Sequence, residues 1–260
     1  GFVSYGAYTI GLVTHQAWGA SLVRDPLSLS RLMGIRELGV IAGILGVFLA
    51  PAIAEGLGYE GLGAKVASAA GFLLVCFLIF TPASLYFAPD EPGVVQSIPV
   101  DFSSAREFVL GREFILVSVA NLATSYSMVT LSVLSYFVAA YVFDSADRFG
   151  FGMTVYFLAA GVGMALWMRV SQWIGDRRTL LVALTYIAVV LALIPSWSAL
   201  DSPARYPIFT AVLGLGFGAP PYLIRSMIGV LANEAERRTG RGVRGTAYAG
   251  TTFFDKLGSG

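Results

Sequence analysis

Seven long apolar runs fix the class of structure open to this chain. They cover residues 2–22, 38–54, 66–87, 114–143, 149–168, 180–197 and 207 to about 232, and an eighth starts near Gly245 and continues toward Gly260. A bilayer core of about 30 Å is crossed by roughly 20 apolar residues in a helix, so each run reads as a span. Barrel strands would be about ten residues long with strict alternation. These runs are about twice that and continuous, which leaves helices as the way to satisfy backbone groups in lipid. With 56% hydrophobic and 13% charged residues and a mean hydropathy of +0.73, the composition exceeds what a soluble core requires. The expectation is an all-α polytopic membrane protein held in a lipid bilayer.

The 17 Lys and Arg residues set the orientation. The first connection holds Arg24, Arg31 and Arg36, the second Lys65, the third Arg106 and Arg112, and the fourth Arg148. The fifth holds Arg169, Arg177 and Arg178, the sixth Arg205, and the seventh Arg225, Arg237, Arg238, Arg241 and Arg244. Basic residues favour the cytoplasmic face, so the odd-numbered connections are expected inside a cell (inner) membrane. Lys256 is left as the cation within a run. Residues 89–113, the longest connection, carry Pro89, Pro92 and Pro99 with five acidic residues. They read as a cytoplasmic linker between a bundle over 1–88 and a second over 114–260. The net charge of +1 gives no reason to expect a nucleic-acid partner.

The chain opens on Gly1 without a basic leader and cleavage site, and it closes inside a run, so it reads as a fragment of a longer protein. Cys76 stands alone and builds neither a disulfide framework nor a thiol metal site. Gly39 and Gly43, and again Gly161 and Gly163, read as small residues that let helices approach. Gly214, Gly216, Gly218, Pro220 and Pro221 crowd the seventh run. They should bend or loosen it, either as the broken helix of a transport path or as a plain kink.

Two stretches carry a family resemblance. Asp25-Pro26-Leu27-Ser28-Leu29-Ser30-Arg31-Leu32-Met33-Gly34-Ile35-Arg36-Glu37, ahead of a glycine-rich run ending at Pro51, resembles the loop between helices four and five of the glycoside-pentoside-hexuronide:cation symporters. These are the melibiose-carrier-like branch of the major facilitator superfamily. Asn233-Glu234-Ala235-Glu236-Arg237-Arg238-Thr239-Gly240, then Arg244-Gly245 and Phe253-Phe254-Asp255-Lys256, resembles that family's loop between helices ten and eleven and its helix-eleven lysine. Gly175-Asp176-Arg177-Arg178 is similar to the superfamily's short inter-helix motif. The resemblance spans nearly the whole chain. It implies the major facilitator fold, with the runs as helices four to the start of eleven of twelve. It also implies a monomer with a solute site between two bundles, and alternating access coupled to sodium, lithium or protons without a cofactor.

Residue by residue, the resemblance places Lys256 beside the cation and solute sites, with Thr252 one turn earlier offering a hydroxyl to the solute. A lysine inside an apolar helix is costly unless paired or wetted. Its alternative role is to pair with a carboxylate and hold the bundles together, and the partner of such a pair should lie on another helix than the neighbouring Asp255. Arg36 matches an arginine that reaches solute hydroxyls with its fork of donors, or it serves as a cytoplasmic gate. Thr9 sits in a Tyr8-Thr9-Ile10 context like one that offers a hydroxyl to the cation. Trp18 and His15 read either as solute contacts, through ring stacking or proton transfer, or as an interfacial anchor and a structural histidine. Asn233, Glu234, Glu236, Arg237, Arg238, Asp176 and Arg177 read as gating charges, with the glutamates paired to Arg237 or Arg238, or as surface pairs.

The chain also departs from the family. Many relatives carry a helix-four aspartate where Leu12-Val13-Thr14-His15 stands here, and Asn233 replaces a frequent aspartate. An enzyme would need a nucleophile with its base, paired carboxylates or a histidine-rich metal cluster, for which one histidine and one cysteine are poor material. The reading is therefore a secondary transporter that carries a sugar or glycoside-like solute with a cation. A lipid or amphiphile carrier, or a non-transporting receptor or scaffold of the same fold, are the alternatives.

Overall fold

In a computed structural model, residues 2–23, 25–59, 61–87, 102–199, 202 and 204–259 are described, and they contain helices and no strand. The first three runs form α1 (Phe2–Ser21), α2 (Pro26–Gly56) and α3 (Leu62–Phe87). α2 begins well ahead of its apolar run because Asp25-Pro26 is a strong start signal. The Asp25 carboxylate accepts the Ser28 amide at 2.9 Å, and Pro26 occupies a first-turn position that needs no amide donor. Arg31 and Arg36, expected in a connection, are therefore helical. A short helix not anticipated from the sequence, α4 (Phe102–Leu110), occupies part of the expected 89–113 linker.

The fourth run is α5 (Arg112–Phe137), prolonged by a π-helical turn over Val138–Val142. α6 (Phe149–Ile174) meets α7 (Asp176–Ala192) at Gly175, whose φ of 82° is a left-handed turn suited to glycine. α8 (Ile194–Ser198) completes the sixth run after a break at Leu193, just before Pro195. The seventh run divides into α9 (Arg205–Phe217) and α10 (Pro220–Thr239), and α11 (Arg244–Ser259) closes the described chain. By length and composition, α2, α3, Arg112–Val142, α6 and Arg205–Thr239 can each cross a membrane.

The break at Gly218–Ala219 follows from Pro220 and Pro221, which donate no amide and clash with the preceding turn. Glycines at the α6–α9 seam serve close packing. A Cβ on Gly214 would sit 2.3 Å from the Tyr156 carbonyl oxygen, one on Gly218 2.4 Å from that of Ala160, and one on Gly163 2.2 Å from that of Leu215. They bring α6 and α9 into backbone contact, and Trp167 Nε1 donates to the Leu215 carbonyl at 2.8 Å across the seam. The pair Gly39 and Gly43 is different, since no described atom lies within 4 Å of either Cβ position. Gly46 supplies the contact instead, with the Phe72 ring of α3 over its Cα.

Buried side chains form two clusters. One gathers Leu29 and Met33 of α2, Met164 of α6, Tyr222 and Ile228 of α10 and Tyr248 of α11. The other holds Phe143, Tyr206, Phe209 and Phe217. α2 lies against α3, α6 and α10, while α1 packs on α11. Gly229 makes the α2–α10–α11 meeting possible, because its Cβ position is 2.8 Å from Leu29 and 2.6 Å from the Tyr248 hydroxyl.

Candidate functional site

Where α2 crosses α10, three charged side chains meet. Glu37 Oε1 lies 2.5 Å from Arg36 Nη1 and 2.8 Å from Arg225 Nη1. Arg225 Nη1 also donates to the Pro221 carbonyl at 3.1 Å, and the Tyr248 hydroxyl donates to the Arg225 carbonyl at 3.2 Å. The side chains are only 18% (Arg36), 21% (Arg225) and 8% (Glu37) exposed. Tyr8, Tyr248 and His15 lie within Coulombic reach of Arg36, and Glu37 is the carboxylate acting on it. Two guanidinium groups face one carboxylate, so the cluster carries a formal charge of +1.

Glu37 opens onto a cavity of about 290 Å³ between α2, α5, α6 and α9. Val40, Ile41 and Ile44 form its α2 wall, with Met128, Leu131, Phe157 and Phe209 opposite. Ser132, Ser135, Tyr156, Tyr206 and Thr210 add hydroxyl-bearing side chains to the wall, and those of Ser135 and Thr210 donate back to their own helices, to Ser132 O at 2.7 Å and Pro207 O at 2.9 Å. A wider cleft of about 570 Å³ lies between the start of α2, α5, α7 and α10, and Asp176 and Arg177 sit on its wall. The wall of the smaller cavity carries Glu37, whose partners Arg36 and Arg225 are not among its lining residues.

The residues expected to gate do not act alike. Asp176, at the start of α7, accepts from Ser30 of α2 at 3.0 Å and from Ser226 of α10 at 2.6 Å, tying three helices together. Asn233 Nδ2 donates to the Val23 carbonyl at 3.3 Å, while its Oδ1 accepts from Arg244 Nε at 2.9 Å. Glu236 pairs with Arg244, 2.8 Å away, and with neither Arg237 nor Arg238. Its Oε1 also accepts the Val243 and Arg244 amides at 2.9 and 3.0 Å, so this carboxylate caps the N-terminus of α11. Glu234 and Arg238 pair at 2.8 Å within α10, both well exposed, and Arg177 and Arg237 are exposed as well. An exposed pair within one helix ties nothing across the molecule.

Thr9 and Lys256, far apart in sequence, come together: Lys256 Nζ donates to the Thr9 hydroxyl, joining α11 to α1. Asp255 turns to α5, where its carboxylate accepts from Ser125, as the rotation between adjacent helical residues requires. Thr252 is buried one turn before Lys256. His15 and Trp18 pack on each other with ring centroids 5.9 Å apart, Trp18 being 37% exposed. Among the described residues no group of three or more His, Cys, Asp or Glu side chains could hold a metal ion.

Glu37 and Arg225 were not singled out from the sequence. Arg225 was readable, since it lies within the run ending near residue 232 and so joins Lys256 as a cation inside a span. Glu37 directly follows Arg36, and only the approach of α10 shows that it is buried.

Long apolar helices packed around an interior ion pair and cavity define a polytopic membrane protein of the transporter class. The family model described as MFS/sugar transport protein matches residues 3–260, and the chain belongs to that family. No curated protein and no solved structure matches it.

Proposed function

We propose that this protein is a secondary active transporter that moves a small organic solute, in the first instance a sugar or glycoside, together with sodium, lithium or a proton. The observation that carries the reading is a 290 Å³ cavity with Glu37, ion-paired to Arg225, on its wall, in a molecule whose other polar ties run from α1, α2 and the connection between them to α7, α10 and α11. Bonds of this kind hold one access state and break in the other. Residues 1–88 and 114–260 are the two moving bundles, joined by 89–113. The basic connections, with Asp176 and Asn233 beside them, face the cytoplasm across the cell inner membrane. Lys256 with Thr9 serves the coupling cation, and Arg36 and Thr252 serve the solute. The protein works as a monomer.

The apolar lining of the cavity favours a second reading, carriage of an amphiphile. The deciding experiment is uptake of labelled sugars by proteoliposomes of the full-length protein under sodium, lithium or proton gradients. Accumulation under one gradient is expected, and failure of every gradient to drive uptake removes the symport reading.

A further inference from the structure

We propose that the cavity takes a compact neutral solute, an apolar body with a hydroxyl group at one end, and that this hydroxyl donates to Glu37 Oε2. The proposal rests on the transport reading and narrows its solute toward the amphiphile. A buried carboxylate oxygen without a donor, and the wall around it, lead there.

Glu37 is 6% exposed and is the charged residue on the described cavity wall. Both of its arginine partners bond to Oε1, Arg36 Nη1 at 2.5 Å and Arg225 Nη1 at 2.8 Å, and neither arginine lines the cavity. Among the described residues no donor is bonded to Oε2. A buried carboxylate oxygen left without a donor is costly, so the cavity selects for an occupant that donates a hydrogen bond at Glu37. Water can do so. A solute that displaces it has to donate in its turn or lose affinity.

Charge decides which donor is accepted. An anion at this wall meets the like charge of the carboxylate. An ammonium ion meets a carboxylate already shared by two guanidinium groups, a cluster with one positive charge in surplus. A neutral hydroxyl escapes both repulsions and still makes a charge-assisted bond.

The rest of the wall sets the body of the solute. The surface it presents is almost all carbon, from residues such as Ile41, Met128, Leu131, Phe157 and Phe209. The Ser135 and Thr210 hydroxyl protons are spent on carbonyls of their own helices. A sugar loses water from many hydroxyl groups on entering and requires a partner for each. A single donor on an apolar body is matched by the single carboxylate. The volume, about 290 Å³, lies at the lower end of the roughly 300–1,000 Å³ typical of small-molecule sites, which suits a compact ligand.

The test is calorimetric titration of the full-length protein in nanodiscs, against empty nanodiscs, with 4-butylphenol, its methyl ether 4-butylanisole, 4-butylbenzoate, 4-butylbenzylamine and melibiose. The phenol should bind about tenfold or more tightly than the ether, as expected for a hydrogen bond to a charged group, and more tightly than the acid or the amine. Replacing Glu37 alone leaves two arginines facing each other, so it is replaced in an Arg225→Gln background. Arg225→Gln should keep the phenol preference. Adding Glu37→Gln should reduce the preference to about threefold or less, with ether binding as the check that the cavity is intact. The ligand ranking is read on the parent protein, so it decides the matter even where the double variant does not fold. Equal binding of phenol and ether, tighter binding of the acid or the amine than of the phenol, or a full phenol preference in the double variant overturns the proposal. Melibiose binding without phenol binding also overturns it and leaves the transport reading standing. That reading fails separately, if no gradient drives uptake of either the phenol or a sugar.

Discussion

Glu37 offers one oxygen to two arginines, which makes the members of the cluster unequal. Removing Arg225 leaves Glu37 paired with Arg36, while removing Glu37 leaves two guanidinium groups facing each other at the α2–α10 crossing. Losing one charged hydrogen bond costs about 1.5–3 kcal/mol. Stranding a buried charge costs roughly 3–5 kcal/mol. Glu37→Gln should therefore lower the melting midpoint of the purified protein more than Arg225→Gln does, and the double variant should lie closer to Arg225→Gln than to the sum of the two. Additive losses would mean that the pair does not interact. Lys256 belongs to the same scale. Its ammonium bonds to Thr9 on another helix, so Lys256→Gln should reduce gradient-driven accumulation tenfold or more while membrane insertion, measured by extraction, is unchanged. Unaltered transport would give the lysine a purely structural role. The sequence could raise suspicion of Lys256, because a cation in an apolar run stands out. Arg225 lies within an apolar run too, but counting cations by side of the membrane assigns each one to a connection without asking whether it is buried.

At the scale of elements, glycine has two separate uses here. Gly163→Ala would place a methyl 2.2 Å from the Leu215 carbonyl oxygen on α9, a backbone atom that cannot swing away. Overpacking of that kind costs about 1–3 kcal/mol, so the melting midpoint should fall. Gly43→Ala meets no described atom within 4 Å. It should be neutral or raise the midpoint slightly, because alanine is favoured over glycine in a helix by about 1 kcal/mol. Equal losses at both positions would contradict the packing described. The helices were legible because their apolar runs are long and the start signal at Asp25-Pro26 and the break at Pro220-Pro221 are local chemistry. Their partners were not, since a membrane helix can be apolar on every face and the residues toward protein then resemble those toward lipid. That is why Gly39 and Gly43 read as a packing pair and why the close packing at Gly214 and Gly218 did not show in the sequence, while α4 lay inside a charged linker.

For the whole molecule, the polar ties gather where the start of α2, the α6–α7 turn and the α10–α11 connection meet. Asp176 accepts from Ser30 and Ser226, and Asn233 reaches back to the Val23 carbonyl. The Ser30–Asp176 and Asn233–Val23 bonds connect the segments before and after residues 89–113, and the cavity lies further along α2, past Glu37. If they hold that end shut, breaking them should open it without disturbing either group of helices. Asp176→Ala with Asn233→Ala removes four hydrogen bonds, all of them between helices or across to the α1–α2 connection, and two of them, from Ser30 and to Val23, join the segments before and after residues 89–113. Net bonds are worth about 0.5–1.5 kcal/mol each, so losing the two that join the segments removes about 1–3 kcal/mol, enough to shift an equilibrium between two access states. Spin labels at the exposed Arg31 and Arg238, in a background with Cys76→Ala, report the distance across this end. The doubly substituted protein should show a longer or broader distance distribution than the parent, with unchanged helix content by circular dichroism. A distribution identical to the parent's would mean that these bonds fasten neighbouring helices and do not gate the path.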